Sequence, residues 1–368
     1  MTEPLYQQVY ERMLARIRSH DYPVGERLPV EAALLVEYDV SPITLKRALD
    51  LLREQGYIVR RPRLGSFVVS DSPTASTAAG SRPLIGCVVT NFDDTFGTHV
   101  IGGLLDSPLS ANVILKRSLG DPDVEEELIR SLVSNGVDGL ILQPGSSQYV
   151  PPAILELVMR RFPVVILDRV FDGVPVSSVC TDNVAAAKAA TEFLISSGHS
   201  RLGLITSASR VSTGEDRKEG FLHAHAAAHI LHESQNEFRD LESTIPGSHV
   251  HAEDDVDKLV DFLGAHADLT GFVTTEYNIA VMLKASLERL GRSVPEDSSI
   301  ICFDQPDTFY DGASFHFTHI DQQQSVMGSS AVQMVLEQMA TPGTVRKLSL
   351  RAELVAGQST SAPPHRGL

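Results

Sequence analysis

Thirteen residues constrain this chain more than any others. The stretch 71–83 reads DSPTASTAAGSRP, small residues with Ser, Thr and two prolines. A segment without large apolar side chains cannot bury a core, so it predicts an exposed linker. It separates a first domain over 1–70 from a second over 84–368, both of lengths that fold as independent units. The full 368 residues exceed one ordinary core in any case.

The linker also divides the charge. Residues 1–70 hold ten Lys and Arg against nine Asp and Glu, a net of +1, so a formal −16 for the chain becomes −17 beyond residue 70. An acidic chain does not coat nucleic acid nonspecifically, yet a small DNA-reading head on an acidic body remains open. No apolar run reaches the ~18 residues of a membrane span. The N-terminus, MTEPLYQQVYERMLARIRSH, has no apolar signal region, which predicts a cytoplasmic protein without membrane contact. Cys87, Cys180 and Cys302 stand far apart in apolar surroundings, as small buried hydrophobes in a reducing compartment do.

The first domain reads as three helices and a hairpin. Leu5, Val9, Met13 and Ile17 form one helical stripe. Gly25 and Pro29 mark a turn. Residues 31–38 make a short second helix with Ala32, Leu35 and Val36 expected inward. Ser41 is an N-cap, Pro42 a first helical residue and Gly56 the stop of a third helix with Leu45, Leu49 and Leu52 inward. Strands over 57–60 and 66–69 flank RPRLG. Two short helices with a basic second helix suit a helix–turn–helix, and the hairpin suits a wing. Lys46, Arg47, Arg53, Arg60, Arg61 and Arg63 then suit phosphates and base edges, although the same cations on a small helical domain also suit a solvated face.

The second domain alternates strand and helix. Apolar strands are predicted at 85–90, 113–116, 139–142, 164–167, 202–206, 271–274 and 300–303. Their continuous apolar character implies parallel sheets covered on both faces, an α/β doubly wound architecture. Such sheets bind ligands beyond the carboxyl ends of their strands. That selects Asn91, Asp94, Phe96, Lys116, Gln143, Asp168, Arg169, Asp182, Thr206, Glu276, Tyr277, Asp304 and Gln305. Carboxylates, amides, arginine and two aromatics suit a hydroxyl-rich small molecule. Plainer roles also fit: Asp182 or Asn183 as a helix cap, and Asp168–Arg169 as a local ion pair. His225, His229 and His232 fall at i, i+4 and i+7. No fourth ligand is apparent, so surface histidines are expected there rather than zinc. No nucleophile–base pair, P-loop or dinucleotide fingerprint appears, and neither a cofactor nor an enzyme is expected.

Residues 4–69 carry PLYxQV, GxxLPxE, VSxxTxxxAL, LxxxGY and GxFV in order. They resemble the winged helix–turn–helix of GntR-type transcription regulators. The resemblance implies double-stranded operator DNA as partner, with Ser41, Thr44, Lys46, Arg47, Arg63 and Gly65 at the DNA. This chain has Pro42 and Lys46 where that family usually has arginine, and Val30 where it has serine. Residues 84–361 carry ILDR, TDNVAAAKAATEFLISSGHSRLGLI, RKEGF, SVPEDSSIICFD and ELVAGQST. These resemble the effector domain of LacI/GalR-type repressors, a two-lobed periplasmic-binding-protein-like fold with three crossing segments. It implies a cleft ligand on Asp168, Arg217 and Asp304. Here Glu276-Tyr277 replaces the usual Asn-Asp, CFDQ replaces FDD, and 105–112 is shortened. The pairing resembles the arabinose-responsive repressor subfamily. It implies a homodimeric transcription regulator with a carbohydrate effector; a purine sensor or a sugar-binding protein without DNA are the alternatives. The linker has no helical pattern, so it cannot serve as the minor-groove hinge helix of LacI-type repressors.

Overall fold

The computed structural model describes residues 4–61, 65–71, 82–92, 95–106, 111–209, 211–306 and 315–364. It divides into two compact units, Met1–Arg82 and Pro83–Leu368. Most of the segment 71–83 lies outside the described residues.

The first unit contains α1 (Leu5–Arg18), α2 (Glu31–Tyr38), α3 (Pro42–Glu54) and an antiparallel hairpin, β1 (Ile58–Arg61) with β2 (Gly65–Val68). One core joins them: Val9, Met13 and Ile17 from α1, Leu34, then Leu45, Ala48 and Leu52, closed by Ile58 and Val68. Leu5, expected in the α1 stripe, is 54% exposed because it opens the helix beyond the core. The inward face of α2 is also corrected. Leu34 and Tyr38 are buried, whereas Ala32 and Val36 are exposed and Leu35 packs only at the core's edge. Tyr38 fixes this face, its hydroxyl 3.4 Å from that of Tyr22. Asp39, in the left-handed region at φ +50°, then stops the helix after two turns.

The second unit holds two six-stranded sheets. In chain order its elements are β3 (Leu84–Val89), α4 (Thr95–Leu105), β4 (Asn112–Arg117), α5 (Pro122–Ser134), β5 (Gly139–Leu142), α6 (Pro152–Met159), β6 (Val164–Leu167), β7 (Ser177–Thr181), α7 (Asn183–Ser196), β8 (Leu202–Ser207), α8 (Ser212–Ala227), β9 (Glu237–Leu241), α9 (Ala252–Ala265), β10 (Gly271–Thr274), α10 (Tyr277–Arg289), β11 (Ser299–Phe303), β12 (Thr318–Asp321), α11 (Gln324–Ala340), β13 (Lys347–Leu350) and β14 (Glu353–Val355). The first sheet runs β13-β7-β6-β5-β3-β4, all parallel, and the second β14-β12-β11-β10-β8-β9. Among the described residues of this unit, only β14 pairs antiparallel, because the chain enters it directly from the other sheet without a helical return. Apolar clusters cover both faces of each sheet, as continuous apolar strands require.

The chain passes between the lobes three times: from β7 to α7, from β12 to α11, and from β13 to β14. Neither lobe is therefore a contiguous stretch of sequence. Within the second lobe α7 and α8 pack closely at Gly220, where any Cβ would collide with the Val184 carbonyl. His199 pins the lobe from inside, its ring nitrogens 2.9 Å from Thr270 Oγ1 and 3.0 Å from Ser299 Oγ.

Candidate functional site

The carboxyl ends of both sheets face a cavity of about 180 Å3. Phe96, Gln143, Asp168, Arg169, Arg217, Glu276, Tyr277 and Asp304 all line it. Asp94 lies outside the described residues. Five other strand-end candidates do not line the cavity. Lys116 is exposed on edge strand β4. Asp182 is an N-cap, its carboxylate accepting the Ala185 N–H at 3.0 Å. Thr206 accepts from the Thr275 hydroxyl at 3.0 Å, and Gln305 accepts the Phe317 N–H at 3.0 Å. Asn91 is half-buried beside the cavity's rim residues without lining it.

Two aspartates occupy matching positions. Asp168 directly follows β6 and Asp304 directly follows β11, and both adopt left-handed backbone, φ +65° and +68°. Each donates its own N–H to the neighbouring strand, Asp168 to Val179 O at 2.8 Å and Asp304 to Ile320 O at 3.0 Å. The backbone thereby turns each carboxylate back over the end of its sheet. Aspartate tolerates that conformation better than most residues, and strain of this kind concentrates at binding sites.

Arg217, on α8, is 6% exposed. Its Nε donates to Asn183 Oδ1 at 2.8 Å, and its terminal nitrogens donate to Thr275 O at 2.5 Å and Gln322 Oε1 at 2.8 Å. The guanidinium lies 3.8 Å from the Phe303 ring centroid. Burial lowers its pKa from the usual arginine value, while the carboxylates of Asp304, Asp168 and Glu276 act to raise it. Gln322 is the second centre of the network. It donates to both oxygens of Asp304 at 3.0 and 2.8 Å and accepts from the Thr181 hydroxyl at 3.2 Å. Thr181 ends β7 in one lobe, Asp304 follows β11 in the other, and Gln322 lies on the crossing between them. Asn183 sits on another crossing. Gln322 directly follows β12 and Asn183 lies two residues past β7, but those strands read THID and SSVCT with no apolar run, so the sequence does not select Gln322 and offers Asn183 only as a helix cap.

The remaining lining groups are polar or aromatic. Gln143 accepts from the backbone N–H and hydroxyl of Thr90 and donates to Asp168 at 3.3 Å. Arg169 lies 3.9 Å from Asp168. Glu276 accepts from the Ser207 hydroxyl at 3.1 Å, and Tyr277 packs edge-on against Phe317. Glu125, absent from the sequence candidates, is buried behind the cavity and accepts the Gly145 N–H at 2.8 Å. Its burial pushes its pKa up to about 7.

The histidine reading needs correction. Helix α8 ends at Ala227 and His229 takes φ +56°, so the three histidines share no helical face. His225 is buried against Phe221 and His232, at centroid distances of 4.3 and 5.3 Å, and His232 turns back to Glu237 at 2.9 Å. Only His229 is exposed of the three. Among the described residues, no three His, Cys, Asp or Glu side chains are grouped to hold a metal ion.

In the first unit, the Ser41 hydroxyl caps α3, accepting the Thr44 N–H at 3.3 Å and lying 2.9 Å from the Thr44 hydroxyl. Lys46 is exposed, and Arg47 stacks 4.3 Å over the Tyr6 ring. Arg60 pairs with Glu31 at 3.3 Å. Gly65 has φ +101°, a backbone conformation that side-chain-bearing residues rarely adopt, so a substitution there would be strained. Arg63 lies outside the described residues.

Residues 5–68 match the family described as bacterial regulatory proteins, gntR family, and residues 191–360 match the periplasmic binding protein-like domain. The chain joins a gntR-type head to a binding-protein-like body. It is 26% identical over 376 residues to the arabinose metabolism transcriptional repressor of Geobacillus stearothermophilus, covering 98% of each chain. Its fold resembles a LacI family transcriptional regulator from Enterococcus faecium with bound ribose (TM-score 0.62, 24% identity), covering 76% of this chain and 99% of that one. It also resembles the transcriptional regulator CelR–cellobiose complex (TM-score 0.65, 21% identity), covering 87% and 91%. No helix among the described residues is long and apolar enough to cross a membrane.

Proposed function

We propose that this chain is a ligand-controlled transcriptional repressor: its gntR-type head binds double-stranded operator DNA as a homodimer, and its binding-protein-like body takes a carbohydrate effector. The observation that carries the effector half is the cavity lining. Three carboxylates, two guanidiniums, several amides and two aromatic rings converge there. Carboxylates and guanidiniums bond neighbouring hydroxyls in pairs, and aromatic faces cover the C–H side of a sugar ring. At about 180 Å3 the cavity is smaller than the ~300–1,000 Å3 of drug-sized sites, which favours a monosaccharide over a disaccharide.

Effector binding changes DNA affinity only if it favours one arrangement of the lobes over another. Gln322 and Asn183 couple the ligand-facing groups to the crossings, so a cleft ligand biases how the lobes meet. Residues 71–83 act as a tether. The control then passes through the spacing of paired heads, and half-sites about one DNA turn or a multiple apart engage both.

A thermal-shift screen over pentoses, hexoses, disaccharides, sugar phosphates and nucleobases tests the body. Stabilisation by a pentose or hexose is the expected result, and a response confined to nucleobases would overturn it. Selection from a random DNA pool tests the head; failure to enrich a two-fold-symmetric site would remove the repressor reading.

A further inference from the structure

The two most exposed large apolar side chains among the head's described residues are Val36 at 83% and Ile43 at 81%. Val36 lies on α2, which in a helix–turn–helix crosses the DNA backbone. Ile43 is the second residue of α3, at the end of the recognition helix that meets base edges in the major groove. Its α3 neighbours leave little polar readout there. Pro42 carries no hydrogen-bonding side chain. The Thr44 hydroxyl is engaged with Ser41 at 2.9 Å, and Arg47 lies over Tyr6. An isoleucine this open contributes nothing to the head's core, yet it occupies a base-facing position. In the major groove, the apolar feature that distinguishes one base from another is the thymine 5-methyl group.

We propose that Ile43 is a specificity residue that packs against the 5-methyl group of one thymine in each operator half-site. The proposal rests on the head's reading as a DNA-binding module. Its chemistry differs from an arginine contact at the recognition-helix tip: it selects thymine by shape and adds no charge.

The test uses the full-length protein and an operator selected from a random pool. Each half-site thymine is replaced in turn by deoxyuridine, which lacks only the methyl group. One such replacement weakens the wild-type protein about fourfold, the worth of one buried methyl. With I43A, thymine and deoxyuridine at that step bind equally, whereas I43V keeps most of the preference. The side chain is exposed, so neither variant threatens the fold. The proposal fails if no deoxyuridine step changes affinity, or if I43A keeps the wild-type ratio. If no DNA is enriched at all, the DNA-binding reading falls with it.

Discussion

At the scale of single residues, the cleft depends on two aspartates in a backbone conformation that most side chains avoid. Asp168 and Asp304 have φ near +65°, where a Cβ costs roughly 1–2 kcal/mol relative to glycine. Asp168→Gly should therefore be more stable than Asp168→Ala by about 1 kcal/mol in urea unfolding, although both lose the carboxylate. Equal stabilities would mean the turn relaxes when the carboxylate is removed. Glu125 gives a pH signature. Its folded pKa, raised to about 7 by burial, exceeds the unfolded value, so its contribution is complete below the unfolded pKa and lost as pH rises through about 7. Glu125→Gln should gain in Tm relative to wild type as pH increases from 5 to 8. A difference independent of pH would show that Glu125 does not titrate there. His199 and His225 act oppositely. Burial lowers both pKa values, so their contribution is present above the unfolded histidine value and lost as pH falls through it and the folded value.

At the scale of elements, legibility followed apolar sequence rather than burial: the interior strands β7 (SSVCT) and β12 (THID) are not predicted, while the edge strand β4 (NVILKR) is. The strands β5, β6 and β10 have sequence-predicted bounds matching the observed ones, because each is apolar on both faces. The strands β9, β13 and β14 carry EFRDL, KLSL and ELV. They are sheet edges with partly exposed faces, so no apolar run marks them. Most ligand-facing candidates were legible for the same reason as the strands, since they follow strand ends; Arg217 lies inside α8 and was legible only through the family resemblance. Gln322 was not legible, because β12, the strand it directly follows, reads THID and has no apolar run. Two substitutions separate scaffold from site. Asp182→Ala should cost about 1 kcal/mol as a lost cap and leave the ligand-induced thermal shift unchanged. Gly220→Ala should push α8 off α7, cost about 1–3 kcal/mol by overpacking, and weaken the ligand shift by moving Arg217 from Asn183. If both variants affect ligand equally, Asp182 belongs to the site rather than to α7.

At the scale of the whole molecule, charge is divided as sharply as structure. The head is nearly neutral and the body strongly acidic, so specific binding should lean on two heads acting together and a few placed cations. An isolated head should bind nonspecific DNA more tightly than the full chain at low salt, and the gap should close as salt screens the body. In full-length binding titrations, Lys46→Ala should lower the slope of log affinity against log salt by about one, as expected for one lost phosphate contact. An unchanged slope would place Lys46 away from the backbone.

The three crossings have a genetic consequence. A stop codon after residue 181 but before residue 347 removes β13 and all or part of the second lobe, while a stop before residue 324 also removes α11 from the first lobe. Truncation within these stretches thus leaves neither intact sensor lobe. The described head elements finish at Val68 with a core of their own. Nonsense and frameshift alleles that end the body before residue 347 therefore converge on one kind of product, a folded reader deaf to its signal. Its phenotype should depend on how strongly unpaired heads hold the operator, and hardly at all on where before residue 347 the body was cut.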